Sequence, residues 1–113
     1  MYIALDFDGT IVNNDFPRIG KPFTNALKVL KSWNYKHRMF LHTSRTGQAL
    51  NDALNWLQSN GINVEYRTTK PNADLYIDDK QLGGLPRKGK EIDWEQIGRL
   101  VDLEQYKQNV EGE

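Results

Sequence analysis

The chain contains no cysteine. That excludes disulfide staples, thiolate nucleophiles and cysteine-ligated metal. It has no net charge either, since 15 basic residues balance 15 acidic ones. No overall field therefore steers it toward nucleic acid or a membrane surface. No apolar run approaches the ~20 residues needed to cross a bilayer. Internal repeats and low-complexity tracts are also missing. The start reads as a strand with an acidic end, without the basic region and apolar core of a signal peptide. These absences leave a single domain over residues 1–113, expected to be cytoplasmic. A chain of this length can bury roughly two-thirds of its unfolded surface, enough for a real core.

What is present is concentrated at the start. Ile3-Ala4-Leu5-Asp6-Phe7-Asp8-Gly9-Thr10 runs an apolar strand into two aspartates two residues apart. Strand side chains alternate faces, so such a pair points the same way. At a separation of about 4 Å their repulsion is about 4 kcal/mol in an effective dielectric near 20. A bound cation, a shared proton or a basic neighbour is implied.

Downstream, strand and helix patterns alternate. Tyr2 to Asp6 reads as a buried strand, and Ile11 to Pro22 as a loop or small hairpin marked by Asn13-Asn14-Asp15, Pro17 and Gly20. Phe23, Ala26, Leu27, Leu30 and Trp33 recur at helical spacing. Arg38 to Thr43 predicts a second strand. Ala49, Leu50, Ala53, Leu54 and Leu57 predict a second helix, stopped by Asn60-Gly61. Val64 to Arg67 and Ala73 to Ile77 predict two more strands. Asp93 with Gln96 resembles a capping box for a last helix carrying Trp94, Ile97, Leu100 and Val101, with the tail fraying from about Lys107. This alternation implies a mainly parallel sheet with helices on both faces. In such sheets, sites form at the carboxyl ends of the strands. Three strands here end in chemistry: Asp6 and Asp8, then Thr43-Ser44, then Asp78-Asp79.

Each set has a plain alternative. Asp-x-Asp-Gly-Thr also suits a turn after a strand, and Asp78-Asp79 a solvated turn before Lys80. Ser44 or Thr46 could simply cap the second helix. Together, four aspartates with oxygen-only donors favour Mg2+ over zinc. Thr43, just before a helix N-terminus, is suited to a phosphoryl oxygen. Lys70 would partly neutralise the acids and hold a phosphate, with Lys80 and Arg45 competing for that role. Arg18 and Lys21 on the 11–22 loop read as substrate contacts or as solvated charges. His37 and His42 read as packing or surface residues, and Trp33, Trp56 and Trp94 as core.

Asp6-Phe7-Asp8-Gly9-Thr10, then Thr43, then Lys70, then Asp78-Asp79 resembles the haloacid dehalogenase-like (HAD) hydrolase superfamily, whose four motifs occur here in order. Thr43-Ser44-Arg45-Thr46-Gly47 and Ala73 to Asp79 with Gly83-Gly84 resemble a small capless phosphatase-type subgroup of bacteria and their phages. The resemblance implies a three-layer, Rossmann-like, mainly parallel α/β sheet without a cap domain. It implies a Mg2+-dependent phosphatase working through an aspartyl-phosphate. Asp6 would be the nucleophile and Asp8 the general acid and base. Asp6, the Asp8 carbonyl and Asp78 would hold Mg2+, with Asp79 in support. Thr43 and Lys70, with Ser44 and Gly9, would bind the phosphoryl oxygens. The eight residues from Lys70 to Asp78 are a short spacing for this family, and the adjacent acid pair leaves the division of metal binding between Asp78 and Asp79 open. Receiver domains use similar residues in another order, with the lone phosphorylated aspartate before the hydroxyl and lysine.

Neither interval between motifs can hold a cap, so the site is expected to be open. That suits a large phosphorylated substrate, such as a nucleic acid end, a protein or a polysaccharide, or a site completed by a homo-oligomer partner; no membrane partner is expected. Two alternatives remain at this stage: a phosphotransferase, and an idle metal-binding regulatory module of the same fold.

Overall fold

A computed structural model describes residues 1–69 and 72–111. The elements are β1 (Tyr2–Leu5), α1 (Ala26–Trp33), β2 (Arg38–Leu41), α2 (Gly47–Ser59), β3 (Leu75–Ile77), β4 (Arg87–Lys88), β5 (Glu91–Ile92) and α3 (Trp94–Glu111). Strands β1, β2 and β3 form a parallel sheet in the order β2-β1-β3. The fold is thus α/β and Rossmann-like, with β1 and its acidic end at the centre. Among the described residues, no helix is long and apolar enough to cross a membrane.

The expected third strand shrinks to one bridge. Glu65 pairs with Phe40 in parallel, accepting from the Leu41 N–H and donating to the Met39 carbonyl, each at 2.8 Å. This places Glu65 on the edge of β2 away from β1. The connections through α1 and α2 therefore advance in the same direction, and right-handed crossovers advancing one way lie on one face. The core agrees. Ile3, Leu5, Met39, Leu41 and Ile77, which share a face by register, cluster with Ala26 and Leu30 of α1, Ala53 and Leu57 of α2, and Ile97 and Val101 of α3. Trp33 of α1 meets Trp94 of α3 with ring centroids 6.0 Å apart.

The expectation of helices on both faces, and hence of three layers, is not met. The opposite face carries Ala4 flanked by Phe40 and Tyr76, with Tyr2 stacked on Phe40 at 5.3 Å. The physical reason is length. Only residues 66–74 connect Glu65 to β3, fewer than the dozen or so that a helical crossover takes. Among the described residues, helices cover the sheet on one side only.

Local signals explain the helix ends. Asn60 caps α2, and Gly61 takes φ 76°, a left-handed value suited to glycine. Half of the predicted capping box forms at α3, where the Gln96 N–H donates to the Asp93 carboxylate at 3.1 Å. The other half does not. The Asp93 N–H donates to the Pro86 carbonyl, and the Gln96 side chain accepts from Arg99. Helix α3 runs to Glu111, past Lys107, where the tail was expected to begin fraying. The hairpin of β4 and β5 has no counterpart in the sequence reading. The 11–22 loop is a small hairpin as expected, bridged between Val12 and Pro22.

Candidate functional site

The site lies at the carboxyl ends of β1 and β3. The Asp6 N–H donates to the Ile77 carbonyl at 2.9 Å, which brings Asp6 beside Asp78. One carboxylate oxygen from each of Asp6, Asp78 and Asp79 lies within 4.8 Å of the others. All three side chains are half-buried. Loss of solvent is the largest influence on Asp6, and the charges of Asp78 and Asp79 add to it. Together they push its carboxyl from the usual 3.8 up to about 7, against the lowering pull of the Phe7 backbone hydrogen bond. An oxygen-only donor set this close fits a hard divalent cation such as Mg2+.

Backbone geometry builds this cluster. Asp78 accepts the Lys80 N–H at 2.9 Å, closing a turn that turns Asp79 inward. The buried Thr10 hydroxyl accepts the Asp79 N–H and donates to its carboxylate, both at 3.1 Å. The Thr10 carbonyl in turn accepts from the Trp94 indole at 2.8 Å, tying the site to α3. Gly9 has φ 80°, and a Cβ there would stand 2.9 Å from Asp79 Oδ2. The left-handed φ favours glycine, and a Cβ would in addition displace the end of the Asp79 side chain. The place of Gly9 in the structure is beneath Asp79, in addition to any role toward phosphate.

Asp8, expected to hold metal through its carbonyl and to move protons through its side chain, lines the same cleft, and its carboxylate is outside the three-acid cluster and paired with Arg45. Arg45 Nε and Nη2 donate to the two Asp8 oxygens at 2.7 Å each. The remaining donors reach the carbonyls of Pro17 at 3.0 Å, Arg18 at 2.8 Å and Ala49 at 3.2 Å. All five N–H groups of the guanidinium are thereby satisfied. The side chain is sealed from solvent, with its centre 5.2 Å from the rings of both Phe7 and Phe16. The sequence left Arg45 undecided between pocket and surface. Nothing in its local pattern shows that it ties Asp8 to the 11–22 loop.

Asp6, Asp8, Asn14, Phe16, Ser44, Asp79 and Lys80 line a cleft of about 270 Å³. Ser44 thus stands at the site. The Thr43 hydroxyl accepts the Arg45 N–H at 3.1 Å, forming the turn that leads into α2. Thr46 stands at the N-cap of that helix, as one of the two expected positions, but makes no side-chain cap bond. Lys70 lies outside the described residues, whereas Lys80 reaches the cleft. Arg18, read as a substrate contact or a solvated charge, pairs with Asp15 at 3.1 Å on the exposed side of its loop. Lys21 is exposed, and its carbonyl accepts from Asn13. The loop's residues at the cleft are instead Asn14 and Phe16. His42 lies near Asp6, in a neighbouring cleft on the open sheet face. His37 packs on Trp33 and contacts the N-terminal amine at 3.1 Å. Trp33 and Trp94 are core, and Trp56 packs edge-on against Phe7.

No protein-family model matches the chain, and no curated protein matches it. Among solved structures it is similar to a conserved protein from Bacteroides thetaiotaomicron. The identity is 34%, the match covers 92% of this chain and 91% of that one, and the TM-score is 0.80. With that identity over nearly the whole of both chains, this protein belongs to the same family as the conserved Bacteroides thetaiotaomicron protein.

Proposed function

We propose that this protein is a Mg2+-dependent phosphomonoester phosphatase of the HAD-like type, using Asp6 as nucleophile. The observation that carries the reading is the meeting of Asp6, Asp78 and Asp79 within 4.8 Å at the strand ends, with Asp6 and Asp79 lining a cleft shared with Ser44 and Lys80. Three half-buried carboxylates without a cation among them are electrostatically unfavourable. That makes the cluster suited to binding a cation and, with it, a phosphate. Bound Mg2+ would neutralise these acids and polarise the phosphoryl group.

The chain's own residues divide the remaining work. An Asp6 oxygen attacks phosphorus as the bond to the leaving alkoxide breaks, and water then cleaves the aspartyl-phosphate to restore Asp6. The Thr43 hydroxyl, having accepted from Arg45, keeps its own proton to donate to a phosphoryl oxygen. Lys80 supplies positive charge at the cleft. Asp8, whose two oxygens each accept one charge-assisted bond from Arg45, would take or deliver a proton through a remaining lone pair at the cleft.

The test is phosphate release from an aryl phosphate with and without Mg2+. Asp6→Asn should lower the rate by about a thousandfold or more while the far-UV circular dichroism stays unchanged. Absence of wild-type turnover across a broad phosphate panel would remove the reading. The hold of Arg45 on Asp8 favours a second one, an idle module that binds Mg2+ without turnover. Calorimetric Mg2+ binding with no phosphate release would select it. Alcohol acceptors tested against water separate hydrolase from phosphotransferase.

A further inference from the structure

We infer that Phe16 is the substrate-selecting residue of this site, a stacking platform for a nucleobase on the leaving group; the inference rests on the phosphatase reading above. Phe16 is 59% exposed, an uncommon state for a phenyl ring, and it lines the same cleft as Asp6. It is not a loose side chain. The Arg45 guanidinium lies 5.2 Å from its ring centre, and two further Arg45 bonds hold the next two carbonyls, Pro17 and Arg18. Asn13 closes the loop onto the Lys21 carbonyl through both its backbone and its side chain, at 2.8 Å each. The ring is thus backed and held in place before any ligand arrives, so stacking on it costs little ordering entropy.

The lining chooses the kind of ring. Beside Phe16 stand Asn14, Ser44 and Lys80. The Asn14 Oδ1 accepts the Phe16 N–H at 3.3 Å, which orients the amide with its NH2 left to donate. The ring of a phosphotyrosine, with its one oxygen esterified to phosphate, has no further polar edge for such groups, whereas a nucleobase and its sugar present several. The balanced net charge argues against a long polyanion as the recognised object. The ligand chemistry is therefore one terminal nucleotide, either free or at a strand end.

The experiment compares kcat/KM for a nucleoside monophosphate, a short oligonucleotide with a terminal phosphate, a phosphotyrosine peptide and glycerol phosphate, all with Mg2+. The wild type should favour base-bearing substrates over glycerol phosphate by about 5- to 150-fold, the range of one base–aromatic stack. The ratio for the free nucleotide against the oligonucleotide tells the two sources apart. Phe16→Ala should collapse the preference toward one, and Phe16→Trp should keep it. A purely structural role would lower all substrates together and leave the ratio unchanged, which overturns the inference. So does a phosphotyrosine preference, or none at all. If no phosphomonoester is turned over, the phosphatase reading fails, and the platform is then read by nuclear magnetic resonance titration with adenosine. Binding by wild type that weakens in Phe16→Ala supports it, and no binding by wild type overturns it.

Discussion

Asp6 and Asp8 stand two residues apart at the end of one strand, yet the protein treats them in opposite ways. Asp8 is matched by its own cation. Arg45 grips both of its oxygens at 2.7 Å and spends its other donors on three backbone carbonyls. Asp6 faces two more acids, Asp78 and Asp79, and its carboxyl is pushed up to about 7. One half of the acid set is finished internally, and the other is left open to an outside charge. The contrast teaches how to separate structural from functional acids. A carboxylate whose partners all come from the chain serves the fold first, and one that lacks them is available to a ligand.

The largest test breaks the finished half. Arg45→Met leaves the Asp8 carboxylate, whose side chain is only 15% exposed, and three carbonyls without their donor. Loss of one partner from a buried pair costs about 3–5 kcal/mol, so the urea midpoint should drop strongly. Adding Asp8→Asn to that variant should recover part of the loss, because the uncompensated charge is gone. If Arg45→Met is as stable as wild type, the pair is not the anchor described above.

The next test supplies the missing half. Mg2+ at about a hundred times its dissociation constant should stabilise the protein by about 2.7 kcal/mol, seen as a higher melting temperature. Asp78→Asn should remove most of that gain. An equal gain in Asp78→Asn would place the cation elsewhere.

The smallest effect comes from uncharging the open half. Without Mg2+, folded Asp6 holds its proton to about pH 7, while in the unfolded chain it is released near the usual 3.8. The unfolded state therefore binds fewer protons across that window, and stability falls as pH rises through it. Below the window both states are protonated and the penalty is absent; above it the penalty is complete. Since Asp6 is partly solvated, about 1–2 kcal/mol is expected after screening. Saturating Mg2+ should flatten or reverse the trend in a series of urea titrations. A metal-free stability that rises steadily from pH 4 to pH 7 would contradict the proposed repulsion.

Much of the site was legible before the fold. Periodicity put Asp6 at the end of one strand and Asp78 at the end of another, because the alternation that makes a strand also sets where it stops and which way its last side chain points. Gly9 was visible as part of a motif, though its task of clearing room for Asp79 was not. The missing second helical layer was written in the shortness of residues 66–74, yet the strand reading of Val64 to Arg67 concealed it. Phe16 carried no signal at all, since a phenylalanine in a polar loop looks the same whether it packs inward or lines a cleft.

By itself, then, the sequence determined the order of β1, α1, β2, α2, β3 and α3, the acids at the strand ends and the absence of thiol chemistry, all properties of neighbouring residues. Only the tertiary structure decided which acid would be neutralised. Arg45 reaches Asp8 across 37 positions and Thr10 grips Asp79 across 69. Such pairings depend on sheet order, register and side-chain reach, which no local pattern records. Two aspartates that begin as equals at the end of β1 are thus separated by the fold, one closed by Arg45 and one left open to solvent.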